Sequence, residues 1–275
     1  MATKITESFV RERIPQRNVT AHKGNFGRVL MICGSVGYTG APCLAAWGAL
    51  RSGCGLVYLC VPEAVYPIVA TKMNEAMVFP LQENNKVKNI LSMLPNMNAV
   101  LIGPGMGRGD ETFACVKAIL QYSTVPVIMD ADGINVLSEH IDLLRDSACP
   151  VILTPHEGEF MTLTGQKVAN RKRDAMQLAK NTGSICVLKG HETVVTDGST
   201  CLVNTTGNPG MAVGGSGDVL AGMIASFCGQ GLSPLDAAAS AVWLHGKAGD
   251  ICAAELGQYG MLPTDMLQVL PRLLP

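Results

Sequence analysis

The chain has 275 residues, 48% of them hydrophobic and 16% charged, and a formal net charge of −1. That composition supplies a large buried core and excludes an intrinsically disordered chain. Its Lys and Arg residues are scattered, which argues against nucleic acid or an anionic membrane surface as the main partner.

The N-terminal stretch "MATKITESFVRERIPQR" is polar and charged and lacks the apolar core of a secretory signal. No long uncharged apolar run marks a spanning helix, so the cytoplasm is the expected compartment. From residue 29 onward, short β-rich apolar runs alternate with longer segments of helical spacing. Strands are expected at 29–33, 56–61, 99–103, 125–130, 151–154 and 184–189. Most are apolar throughout, as parallel strands covered on both faces are. Helices are expected near 41–53, 63–73, 86–94, 110–122, 134–146, 157–164 and 171–182. This rhythm predicts an α/β fold, a doubly wound sheet with helices on both sides.

The rhythm breaks at 193–205, where Asp197-Gly198 lies between two β-branched runs and signals an antiparallel hairpin. Helices are expected again at 218–228, from Pro234 to about Glu255, and from Pro263. Ser233, Pro234 and Asp236 supply an N-cap, a first-turn proline and an acidic first turn. With no linker, low-complexity tract or repeat, residues 1–275 read as a single domain. The ten cysteines include no C-x-x-C pair and the five histidines are dispersed. A disulfide scaffold or zinc site is therefore not expected, and Cys33, Cys60 and Cys186 read as small hydrophobes within strands.

Chemistry concentrates where strands end. "GGSGDVLAG" (214–222) leads into a helix expected to begin near Gly217. Bare backbone N–H groups at a helix N-terminus make a cradle for an anion, with Asp218 at its edge. The competing reading of Asp218 is a helix cap. "GSVGYTGAP" (34–42) and "GPGMGRGDE" (103–111) follow strands and fall on the edge where open α/β sheets bind ligands. The first lacks the spacing of a dinucleotide fingerprint. The second holds Gly103, Gly105 and a later glycine, a weak signal in isolation. Neither matches a P-loop, and tight turns alone would also explain their glycines. In "TPHEGEF" (154–160), His156 and Glu159 either face one cleft or cap the following helix. "KGHET" (189–193) offers Lys189 to a phosphate, although the residue alone reads as a surface lysine. "DADGIN" (130–135) places two carboxylates at a strand end, one of them expected to cap the next helix.

Taken in order, "GYTGAP", "GPGMGR", "DADGIN", "TPHEGEF", "KGHET" and "GNPGMAVGGSGDVLAG" resemble the ADP-dependent NAD(P)H-hydrate dehydratases of the ribokinase-like superfamily. The resemblance runs from about Gly24 to the C-terminus and is most specific over 207–222. Val213 and Ser216 stand where many relatives carry threonine. Many relatives also carry an N-terminal epimerase domain, for which this chain has no room, so a stand-alone dehydratase is expected.

The resemblance implies a three-layer α/β/α fold with a mostly parallel central sheet and an antiparallel hairpin. It implies phosphorylation of the hydroxyl of NADH hydrate or NADPH hydrate by ADP, then loss of phosphate to restore NADH or NADPH with release of AMP. Asp218 would be the base, with Gly215, Ser216 and Gly217 stabilising the transferring phosphoryl group. Ala41, Gly105, His156 and Asp218 would contact the hydrate. Lys189, Gly190, His191, Glu192, Thr193, Asn208 and Gly217 would hold the nucleotide. Magnesium would be the cofactor, with Glu159 organising it through water. The resemblance further implies a homo-oligomer, a tetramer being one such assembly; the scattered charge leaves no nucleic-acid or membrane partner expected. The alternatives are a ribokinase-like kinase of a small alcohol, such as hydroxymethylpyrimidine or hydroxyethylthiazole, and a non-catalytic nucleotide sensor.

Overall fold

A computed structural model describes residues 2–275. Ten strands form the central sheet: β1 (Thr3–Lys4), β2 (Arg28–Ile32), β3 (Leu56–Pro62), β4 (Met77–Leu81), β5 (Ala99–Ile102), β6 (Val127–Met129), β7 (Val151–Leu153), β8 (Ile185–Leu188), β9 (Val194–Thr196) and β10 (Cys201–Val203). Their order is β1-β10-β9-β8-β7-β6-β5-β2-β3-β4. Pairing is parallel except for β9, which runs antiparallel to both β8 and β10. In the central register Met31 lies opposite Leu59 on one side and Leu101 on the other.

The uninterrupted apolar strands follow from two covered faces. Val29 and Met31 belong to one core with the helices Gly40–Arg51, Ser216–Gly229 and Pro234–Leu256. Leu30 and Ile32 belong to a second core with Lys86–Met93, Asp110–Tyr122, Glu157–Thr164 and Arg171–Thr182. All four side chains are buried, which gives the expected three layers. Small residues bring two helices of the first layer close together. A Cβ on Gly48 would run into the Val219 carbonyl, and one on Gly222 into the Ala45 carbonyl.

The chain departs from β2 toward β3 and β4, then returns to the other side as β5. The β2–β5 boundary is thus a switch point, where an open α/β sheet opens a crevice at the strands' carboxyl ends. There the Gly34 N–H donates to the Pro104 carbonyl and Ser35 Oγ to the Gly105 carbonyl, both at 2.8 Å.

Several elements differ from expectation. Strand β4 holds Pro80, which costs a ladder donor and is tolerated because β4 is an edge strand. Strand β1 is too short to show a period, and the helix Glu7–Arg13 is capped by Thr6 Oγ1 accepting from the Phe9 N–H. The helix expected over 134–146 is two pieces, Asp132–Asn135 and a 3-10 turn at Ile141–Leu144. Between them the N–H groups of Leu137 and His140 bond three residues back, closing turns instead of extending a helix. Near 63–73 the helix shortens to Tyr66–Ala70 after a 3-10 turn. All ten cysteines are free and buried. Among the described residues no helix is long and apolar enough to cross a membrane.

Candidate active site

The helix Ser216–Gly229 begins after Gly215, whose φ of +95° is left-handed. A Cβ there would also meet the Leu44 side chain, so glycine answers both demands. Among the described residues, the N–H groups of Gly214, Gly215 and Gly217 donate to no carbonyl, whereas the Ser216 N–H bonds the Val213 carbonyl at 3.3 Å. Three of the four cradle N–H groups are thus free for an anion. That of Ser216, expected to be free, is turned inward by the tight turn that starts the helix.

Asp218 sits in the first turn of this helix. Burial and the neighbouring Asp130 raise its pKa to about 7, against the pull of Lys189, with Glu159 adding to the rise. A carboxylate poised near neutral pH is suited to accept a proton. The same charges reach Cys33 at the end of β2, whose thiol is pushed up by burial and then by Asp218 and Asp130.

Asp130 follows β6 and is 2% exposed. Its Oδ1 accepts from Thr154 Oγ1 at 2.6 Å and from Lys189 Nζ at 2.7 Å. Lys189 is fixed at the end of β8 by its N–H bond to the Pro155 carbonyl, and its Nζ lies 3.7 Å from Glu159 Oε2. Burial pulls the ammonium's pKa down, but Asp130, Glu159 and Asp218 outweigh it and the net shift is upward. Lys189 is therefore a half-buried, paired cation and not the surface lysine its short motif suggested. Asp130 likewise caps no helix. Nor does Asp132, which accepts from the Gly107 N–H at 2.8 Å and meets Arg108; Ala131 occupies the cap position without a side-chain bond.

The capping reading of the "TPHEGEF" loop describes its local structure. His156 Nδ1 accepts from the N–H groups of Gly158 and Glu159, while Glu159 Oε2 accepts from the His156 N–H at 2.8 Å, a capping box. Yet Glu159 is buried and also faces Lys189, and burial raises its pKa against the opposing pull of Lys189. His156 is exposed.

Ala41, in the first turn of the helix Gly40–Arg51, and Gly105, in the loop after β5, come together. A Cβ on Gly105 would stand 3.1 Å from Ala41 Cβ and 2.9 Å from Tyr38 Cβ. Ala41 shares a helix with Leu44, which touches Gly215, so this wall adjoins the cradle. In "KGHET", Thr193 Oγ1 donates to the Gly190 carbonyl at 2.9 Å and closes the turn, leaving His191 and Glu192 exposed. The Arg171 guanidinium packs beneath Gly190 and donates to the Leu188 carbonyl. Asn208 caps the turn Pro209–Met211, and its Nδ2 donates to Asp250 Oδ1 at 3.1 Å. Asp250 Oδ2 also accepts from the Gly207 N–H.

Asp250, Thr154 and His245 were not singled out from the sequence, and the cap expected of one carboxylate in "DADGIN" is supplied by neither. Only the strand-end position of Asp130 hinted at the site. Asp250 and His245 lie within the long helix Pro234–Leu256, where no local signal distinguishes them.

Among the described residues, no group of three or more His, Cys, Asp or Glu side chains is arranged to cage a metal ion. The donor set still suits a cation held largely through water. Three carboxylates, Asp130, Glu159 and Asp218, act on one ammonium, an excess of negative charge that a cation would offset.

The family described as Carb_kinase, NAD(P)H-hydrate dehydratase, matches residues 29–272. The chain is 40% identical to the bifunctional NAD(P)H-hydrate repair enzyme Nnr of Moorella thermoacetica, over 98% of this chain and 53% of that protein. It thus spans about half the length of the curated relatives it matches. Among solved structures it superposes on the ADP/ATP-dependent NAD(P)H-hydrate dehydratase of Bacillus subtilis, co-crystallised with ATP/Mg2+. The TM-score is 0.86 at 32% identity, covering 99% of this chain and 97% of that one. A ribokinase-like superfamily protein of Enterococcus faecalis gives a TM-score of 0.85 at 30% identity, covering 98% and 94%.

Proposed function

The chain belongs to the NAD(P)H-hydrate dehydratase family, and from that premise we propose that it repairs hydrated nicotinamide cofactors, using ADP to convert NADH hydrate and NADPH hydrate to NADH and NADPH. The observation that carries the reading is Asp218, a carboxylate with its pKa raised to about 7, in the first turn of a helix led by unbonded glycine N–H groups.

In this reading Asp218 takes the proton from the hydrate hydroxyl as that oxygen attacks the β-phosphorus of ADP and AMP departs. The N–H groups of Gly214, Gly215 and Gly217 face the phosphoryl oxygens where negative charge is held. Phosphorylation makes a good leaving group of a poor one. The ring nitrogen's lone pair then helps expel phosphate as the adjacent ring carbon loses a proton, restoring the double bond. Ala41, Gly105 and His156 form the hydrate side of the site. The Lys189–Thr193 turn and Asn208 form the nucleotide side. Bound Mg2+ would neutralise phosphate charge, and Asp130 and Glu159 are the carboxylates that would hold it, Glu159 through water.

Residues 1–275 are read as one domain because a single sheet with two helical layers takes in strands from β1 to β10. A cytoplasmic homo-oligomer belongs to the same reading, and light scattering would measure the assembly. The deciding experiment incubates purified protein with NADH hydrate, ADP and magnesium while AMP, phosphate and NADH are quantified together. Equal amounts of all three are expected. Nucleotide consumption on a pyrimidine or thiazole alcohol, with the hydrate untouched, would replace the dehydratase by a kinase.

A further inference from the structure

His245 lies in the middle of the helix Pro234–Leu256, among the alanines 237–239, Ala241 and Leu244, and is 7% exposed. An imidazole in such surroundings costs stability unless its nitrogens are hydrogen-bonded. Its Nε2 meets Ser216 Oγ at 3.4 Å, and the ring also engages the backbone of Ser216. Burial first, and then the nearby Lys189 ammonium, lower its pKa to about 4 against that backbone contact, so the ring is neutral at working pH.

Ser216 is the cradle residue whose N–H is already bonded to the Val213 carbonyl. Whatever it offers an anion must come from its hydroxyl. A serine hydroxyl rotates freely unless a neighbour fixes it. A neutral imidazole with its proton on Nε2 would donate to Oγ and leave the hydroxyl proton directed away from the ring, free to be donated to an anion. A charged imidazolium here would add a second cation beside Lys189; the neutral form shapes the hydroxyl without disturbing the charge of the carboxylate cluster.

We propose that His245 is a positioning residue, which acts through Ser216 by holding its hydroxyl so that it donates to the transferring phosphoryl group. This rests on the phosphoryl-transfer reading of the site. The arrangement would give the cradle a fourth donor in place of the N–H that the helix start consumes.

The test is a double-mutant cycle of Ser216→Ala and His245→Phe, with His245→Gln, whose amide nitrogen can replace Nε2, made in both backgrounds. Hydrate turnover, ADP affinity and thermal unfolding are measured for each. Each single change should lower kcat/KM by about tenfold or more, the range of a lost hydrogen bond to a charged group. The double variant should be no worse than the poorer single one. His245→Gln should recover most of the loss when Ser216 is present and none of it in the Ser216→Ala background. The kcat/KM acid limb should stay where it is in every variant.

Losses that multiply, a His245→Phe variant within twofold of wild type, or a loss that follows the melting temperature would overturn the proposal. If His245→Phe does not fold, the two His245→Gln proteins decide it: equal effects in both backgrounds overturn it. If the wild-type protein turns over no hydrate, the earlier functional reading fails and the same cycle is read on ADP affinity, where independent effects of the two residues overturn this proposal on its own terms.

Discussion

Lys189 Nζ donates to Asp130 Oδ1 at 2.7 Å and lies 3.7 Å from Glu159 Oε2, so one ammonium is shared between two buried carboxylates. Asp218 feels both members of this pair, raised by Asp130 and lowered by Lys189. Opposite shifts follow from breaking it from either side. Asp130→Asn should move the acid limb of kcat/KM to lower pH, and Lys189→Met should move it to higher pH. The second variant also leaves buried carboxylates without their cation and should lose about 3 kcal/mol of stability. Two profiles that move together would mean that the charges around Asp218 do not set its proton affinity.

Asp218→Asn should reduce turnover by about 10²–10⁴-fold while ADP affinity changes little, because the amide keeps shape and cannot take a proton. The wild-type kcat/KM should climb about tenfold per pH unit until the pH passes about 7 and level off above it.

The same carboxyl links activity to stability. Its folded pKa of about 7 exceeds the ordinary 3.8, so between those values the folded protein holds a proton that the unfolded chain releases. The contribution of Asp218 to stability therefore declines as pH rises through that window. Above pH 7 the Asp218→Asn protein should melt a few degrees higher than wild type, at ~2–4 °C per kcal/mol for a chain of this size. An equal melting temperature at pH 8 would mean that ionising Asp218 costs the folded protein nothing.

Two neighbouring glycines should fail in different ways. Gly215→Ala meets a left-handed φ and the Leu44 side chain, so melting temperature should fall together with activity. At Gly217 a Cβ would stand 3.3 Å from Lys189 Nζ, the movable end of a flexible chain, and φ is not left-handed. Gly217→Val should therefore fold and lose phosphoryl transfer, because the branched side chain projects where phosphate must approach. Phosphate release assayed beside thermal unfolding separates the two.

Gly105→Ala should raise KM for the hydrate and leave KM for ADP unchanged. The added methyl is forced against Tyr38 and Ala41 at 2.9 and 3.1 Å on a backbone with a left-handed φ of +64°, so melting temperature should fall as well. A rise in both constants would place Gly105 in a different role.

How far the sequence reached depended on where each signal lies. The strands around Met31, Leu101, Ile152 and Val187 were legible because both faces are buried and nothing interrupts their apolar runs. Asp218 was legible because glycines and a helical period adjoin it. The edge strand holding Pro80 was not, since proline argues against a strand and only its edge position excuses it. Asp130 and Asp132 stand two residues apart at one strand end, and only the fold shows that Asp130 turns inward to a lysine 59 residues away. His245 was hidden because a histidine in an alanine-rich helix gives no local sign of the serine it meets 29 residues earlier.

The close contact of Gly48 with Val219 and of Gly222 with Ala45 has a mechanical consequence. Backbone packed this closely leaves the two helices little room to slide past one another, so Gly215 at the start of one and Ala41 at the start of the other should move together. In the proposed reading, neither substrate would then have to close a gap before the other can enter. Order of addition should then be random, with ADP affinity the same whether or not the hydrate site is filled. Amide hydrogens along both helices should exchange at a common slow rate, released by global opening alone.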